Sequence, residues 1–153
     1  MHSDKQDALC TTFLEVVEHL TFMFGEIVSK QEMPLGGRDF TLARMSFAGD
    51  LAGRLAVAVP ADIKGEIAAN ILGLDPDDLQ CRTMMDDALA EMLNVVCGHV
   101  IMALAGAEAD FKLVTPETLD LAAENVASMV ASDDFVGFML DDNPVFLGLS
   151  LED

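Results

Sequence analysis

A chain of 153 residues is about the size of one ordinary domain and can close a hydrophobic core without disulfides or metals. With 27 acidic against 8 basic side chains the formal charge is -19, which argues against nucleic acid and anionic membrane surfaces as partners and for a contact that is neutral or basic. The start MHSDKQDALC lacks the basic and apolar regions of a secretory signal, and no apolar run is expected to approach the roughly 20 residues of a membrane span, so the cytoplasm is the expected compartment.

From Gln6 to Ser29, apolar residues at Leu9, Phe13, Val16, Val17, Leu20, Met23 and Ile27 recur in steps of three and four, which predicts one long helix ended by Pro34, Gly36 and Gly37. Two apolar runs, Phe40 to Phe47 and Arg54 to Val59, flank AGDLAG and predict an antiparallel hairpin. PADIKGEIAANILG opens with Pro60 and Asp62, repeats Ile63, Ile67 and Ile71 at steps of four, and stops at Gly73 as a short helix does. LDPDDLQCR reads as a loop.

Met84 to Ala105 has helical periodicity and length for about six turns. FKLV before Pro116 reads as a short strand, and LDLAAENVASMVA leans helical by its Ala and Glu content. FVGFML and VFLGLSL flank the turn DDNP and give a second hairpin, which Pro144 enters without interrupting. The expected fold is α+β, with two long helices packed on an antiparallel sheet built from hairpins, in one domain over 1–153.

Sliding the first long helix by 80 residues aligns Asp7-Ala8-Leu9 with Asp87-Ala88-Leu89, Val16 with Val96 and His19 with His99. This echo suggests a pseudo-twofold internal repeat with halves near 6–73 and 84–151. Cys10, Cys81 and Cys97 are an odd number at wide spacing and suit reduced, gap-filling thiols. Cys97 and His99 lie two apart, point in different directions on a helix, and have no second cluster to complete a metal site.

The informative feature is DALAEMLNVVCGHV, residues 87–100. At about 100° per residue, Asp87, Glu91, Asn94 and Gly98 fall within roughly 60° of one another, opposite Leu89, Met92, Leu93, Val96 and Val100. A solvated face usually pairs charges of both signs, whereas this one has no lysine or arginine. Asn and Gly at mid-helix cost up to about 0.7 and 1 kcal/mol relative to Ala, and such local sacrifice tends to mark function. An Asn amide both donates and accepts, so it can hold a water in line with an electrophile. A carboxylate beside a phosphoryl group needs a cation, and here the cation would have to arrive with the partner.

This spacing resembles the signature of the CheC/CheX/FliY family of response-regulator phosphatases: Asp or Ser, then Glu, then Asn, and a downstream Pro. Asp87, Glu91, Asn94 and Gly98 fill its positions and LVTPETL supplies Pro116, while the order of elements matches over nearly the whole chain. The 21 residues between Asn94 and Pro116 are one fewer than the family's usual spacing, consistent with a deletion near AGAEADF. The first long helix has Thr11 and Leu14 where a second Glu and Asn would stand. The resemblance is therefore closest to the CheX branch, with one active site per chain.

The resemblance implies a phosphatase acting on the phospho-aspartate of a CheY-type receiver domain. Asn94 would direct the attacking water, Glu91 would pair with the receiver's active-site lysine, and Asp87 and Gly98 would support binding. The chain would have no cofactor of its own, Mg²⁺ arriving with the phosphorylated receiver, and would form a homodimer. No rival catalytic set stands out. Ser46, Ser128 and Ser132 have no recognisable His and acid setting, and Gly49 and Gly53 lack phosphate-loop spacing. The alternative is a receiver-binding or flagellar-switch-like module in which the acidic face docks without hydrolysis.

Overall fold

The computed structural model describes residues 4–152. Helix α1 (Asp4–Thr21) buries Leu9, Cys10, Phe13, Val16 and Val17, the stripe its periodicity predicts. It stops at Thr21 rather than continuing to Ser29. The buried Thr21 hydroxyl donates to the Val17 carbonyl at 2.6 Å and accepts the Met23 N–H at 3.2 Å, so the side chain takes over backbone partners. Phe22 then turns the chain at φ 59°, and strand β1 (Gly25–Val28) follows where helix was expected. Steps of three and four through Met23 and Ile27 misled because Met23 is buried in a link while Ile27 is 46% exposed on an edge strand.

Strands β2 (Phe40–Gly49) and β3 (Gly53–Pro60) form the predicted hairpin, in register from Phe47 opposite Gly53 to Phe40 opposite Pro60. A 3-10 turn at Ala61–Ile63 leads into α2 (Lys64–Leu72), closed by Gly73 in the left-handed conformation, φ 69°, with a cap N–H to the Ala69 carbonyl. The stretch predicted as loop contains a short helix, α3 (Leu79–Thr83). It is started by the Asp78 carboxylate, which accepts the Gln80 N–H at 2.8 Å. Helix α4 (Met85–Ala105) matches its predicted extent within a residue.

Strand β4 (Phe111–Leu113) is as predicted, but residues 117–131 are not one helix. They divide into β5 (Glu117–Leu121), a 3-10 turn at Ala123–Asn125 and α5 (Ala127–Ala131). Pairing decides this against propensity: β2 takes Leu119 and Leu121 opposite Leu42 and Phe40, supplying the backbone partners a helix would have supplied. The chain ends in the hairpin of β6 (Phe135–Leu140) and β7 (Asn143–Leu151). Asp141 and Asp142 at φ 46° and 67° make the mirror-image turn that matches strand twist, and the Asn143 amide donates to the Leu140 and Asp141 carbonyls.

The fold is α+β. The antiparallel sheet runs β1-β6-β7-β3-β2-β4, with β5 also beside β2. Exchange of the two halves reverses the six-strand order onto itself, but β5 has no counterpart in the first half, so the expected internal repeat is not confirmed. One sheet face, through Ala43, Met45, Phe47, Leu55, Val57, Phe138 and Leu147, packs under α1, α2 and α4 in the main core. A second core around Phe40, Ala58, Val126, Met129 and Phe146 covers part of the other face. Helix α4 corrects one sequence expectation, since its length and mean hydropathy of 1.7 reach those of a membrane span. Its Leu89, Met92, Leu93, Val96, Val100 and Ile101 are instead buried in the main core.

Candidate functional site

Helix α4 supports the candidate site because its two sides do different work. Leu89, Met92, Leu93, Val96 and Val100 are buried and fix the helix on the sheet. Asp87 and Glu91 are exposed, while Asn94 and Gly98 are half-buried, along the opposite side. Residues three and four apart on a helix have Cβ atoms about 5–6 Å from each other, so Glu91 and Asn94 present a carboxylate and an amide to the same space.

Neither side chain is used by the fold. Among the described residues, no hydrogen bond or ion pair engages the side chain of Asp87, Glu91 or Asn94, whose backbones belong to α4. Asp86, one residue earlier, is paired at 2.7 Å with Lys64 of α2. Sequence reasoning missed Lys64 because nothing local marks a partner 22 positions away. Gly98 is not there for packing either. A Cβ added to it meets nothing within 4 Å, so the glycine leaves bare backbone facing outward.

Pro116 lies half-buried in the link between β4 and β5. Among the described residues, no cluster of three or more His, Cys, Asp or Glu is arranged to hold a metal. Cys97 is buried and His99 exposed, on different sides of α4 as their spacing predicts. Burial raises the Cys97 thiol to about 12, and burial with the nearby Asp7 carboxylate raises Cys10 to about 11, so neither is a nucleophile near neutrality. Ser128 donates to the Asn125 carbonyl, and His19 is exposed on α1. His2 lies outside the described residues.

A groove of about 780 Å³ lies on the sheet face away from the helices, between Leu42, Arg44, Arg54, Phe135 and Gly148, and includes no residue of the α4 stripe. The stripe is thus a convex helix surface rather than a pocket. It offers an amide, carboxylates without an ion pair among the described residues and bare backbone, and it contains no Ser, Cys, Lys or Arg. Chemistry there requires a second molecule to close the site.

A family model described as chemotaxis phosphatase CheX matches residues 41–139, more than half of the chain. The chain belongs to the CheX family. No curated protein gives a significant match. Among solved structures, CheX from Desulfovibrio desulfuricans is similar with a TM-score of 0.68 at 14% identity, covering 98% of this chain and 100% of that one. The CheX–CheY–BeF3–Mg²⁺ complex from Borrelia burgdorferi gives a TM-score of 0.63 at 16% identity, covering 99% and 100%. FliY from Thermotoga maritima gives 0.60 at 11%, covering 100% and 92%. At these identities the likeness is one of fold, so this chain has the CheX-type α+β architecture.

Proposed function

We propose that this CheX-family chain dephosphorylates a receiver domain of the CheY type, acting as one domain over 1–153 with its halves near 6–73 and 84–151. The observation that carries the reading is that Glu91 and Asn94 stand together on the outward side of α4, their side chains free of hydrogen bonds and ion pairs among the described residues. Helix α4 lays this pair against the receiver's phosphorylated aspartate. The Asn94 amide accepts one hydrogen from a water and turns its lone pair in line with phosphorus. The water oxygen bonds to phosphorus as the aspartyl oxygen leaves, and inorganic phosphate and a free carboxylate result.

Positioning and charge complementarity supply the acceleration, since no covalent intermediate on this chain is involved. Glu91 takes a lysine of the receiver, which stabilises the complex and provides the cation that this stripe lacks. Asp87 supports that contact, and Gly98 lets the receiver's surface approach the helix backbone. Mg²⁺ belongs to the receiver in this reading. The Borrelia complex, which contains CheY, Mg²⁺ and beryllofluoride, a stand-in for a phosphoryl group, supports that division of labour.

The proposed setting is the cytoplasm, in chemotaxis or a related two-component pathway, and the proposed assembly is a homodimer. The deciding assay follows the lifetime of phosphorylated receivers with and without the protein. Shortened lifetimes support the enzymatic reading. Binding of the phosphorylated receiver with no change in lifetime assigns the same face to docking alone.

A further inference from the structure

The end of α1 carries a second surface that the fold does not explain. Phe22 occupies the position after the helix with φ 59°, a left-handed conformation that favours Gly or Asn and is an outlier for a bulky side chain. Such a residue carries backbone strain. Burial does not offset it, because the Phe22 ring is 71% exposed. Phe24 is 64% exposed as well, while Met23 between them is buried. The backbone of Phe24 is held firmly: its N–H donates to the Asp141 carboxylate at 3.0 Å, and its carbonyl accepts the Asp141 N–H at 2.9 Å.

Phe22 and Phe24 line a shallow cleft with Glu15, Glu18 and His19. Glu15 and Glu18 are exposed, three residues apart on one side of α1, and their carboxylates engage no hydrogen bond or ion pair among the described residues. Aromatic faces beside unneutralised carboxylates select a particular visitor. A guanidinium stacks on a ring, its planar fork pairs with a carboxylate, and its aliphatic stem covers apolar surface. A second copy fits poorly, because a symmetric contact here would press Glu15 and Glu18 against their own images in a chain of net charge -19. An anionic membrane is repelled for the same reason.

We infer that this cleft docks an arginine-bearing segment of a partner protein, with Phe22 and Phe24 holding the guanidinium and its stem and Glu15 and Glu18 pairing with its charge. The site shares no residue with the Asp87, Glu91, Asn94 and Gly98 stripe and requires no hydrolysis. In this account Phe22 is kept for contact at the expense of the fold.

The test uses the full chain and two fluorescein-labelled peptides, Gly-Ser-Arg-Leu-Arg-Ser-Gly and the same sequence with both arginines replaced by lysine. Fluorescence anisotropy at about 0.15 M salt limits long-range attraction. The arginine peptide is expected to bind about fivefold more tightly than the lysine peptide, and Phe24→Ala and Phe22→Gly to weaken it by about as much without altering net charge. Phe22→Gly should melt no lower than the parent, which shows that the fold is intact, and Asn94→Ala should leave peptide affinity unchanged. Equal binding of both peptides, insensitive to the Phe variants, overturns the inference in favour of general attraction to an acidic protein. Loss of self-association in Phe22→Gly by sedimentation, or Phe-dependent binding to phosphatidylglycerol vesicles, also overturns it, by assigning the patch to a second copy or to a membrane.

Discussion

Lys64 reaches from α2 to within 2.7 Å of Asp86 and leaves the carboxylate of Asp87, the next residue along α4, without an ion pair or hydrogen bond among the described residues. On the proposed reading, the two adjacent acids have different work. Asp86→Asn removes a partly exposed bridge worth at most about 1 kcal/mol, so its melting temperature should fall slightly while receiver dephosphorylation stays within about twofold of the parent. Asp87→Asn should do the reverse, with stability held and activity reduced several-fold. Thermal melts and phospho-receiver decay on the two variants check the pair, and a matching loss of activity in both would show that Asp87 has no separate role.

For Asn94, opposite changes in rate and stability are expected. Asn94→Ala should lower the dephosphorylation rate by about 100-fold or more, equivalent to about 2.7 kcal/mol of barrier, while receiver affinity changes little. The same change should raise the melting point, because Ala improves on Asn in a helix by up to about 0.7 kcal/mol and the Asn94 amide makes no hydrogen bond among the described residues. Glu91→Ala should weaken affinity and rate together, with a flatter dependence of affinity on salt, since one cross-interface charge pair is gone. An Asn94→Ala protein that hydrolyses at the parental rate removes the amide from the mechanism.

These expectations could be framed from the sequence because the α4 stripe is written in local terms. Asp87, Glu91, Asn94 and Gly98 share a face by helical spacing alone, and the structure places them on it. Both hairpins were legible for the same reason, since alternation and turn residues lie within a few positions. What escaped was decided by distant partners. The end of α1 depends on Thr21 turning its hydroxyl back on Val17 and on β6 pairing with β1. The Ala-rich stretch after Pro116 contributes a strand because β2 has an edge for Leu119 and Leu121 to pair with. Lys64 and Asp86 meet only after α2 and α4 pack, and the exposure of Phe22 and Phe24 has no sequence signal at all.

Gly98 separates the helix's interest from the site's. Its position has open space for a Cβ, so Gly98→Ala should stabilise the protein by about 1 kcal/mol, the usual gain over Gly in a helix interior. Gly98→Leu should fold comparably, because a Cβ there meets nothing within 4 Å and Leu is a strong helix former, yet it should weaken receiver binding by about tenfold or more by holding the partner's surface off the backbone. Melting curves together with binding isotherms for the phosphorylated receiver distinguish the two effects. Unchanged affinity in Gly98→Leu would mean that the partner does not approach this part of α4.

The buried thiols make stability depend on alkaline pH. In the unfolded chain Cys10 and Cys97 ionise near the ordinary value of 9.0, whereas in the folded protein burial raises them to about 11 and about 12. Between those values the folded state keeps protons that the unfolded state has lost, so stability falls as pH rises from about 9 toward 11 and is insensitive to these groups below that window. The melting temperature of the parent should accordingly drop through this range, and Cys97→Ala, although less stable at neutral pH because of the cavity, should show a shallower decline. At pH 8 both thiols should resist a thiol-specific reagent until the protein is unfolded. Rapid labelling of the native protein at either position would contradict the burial on which this pH dependence rests.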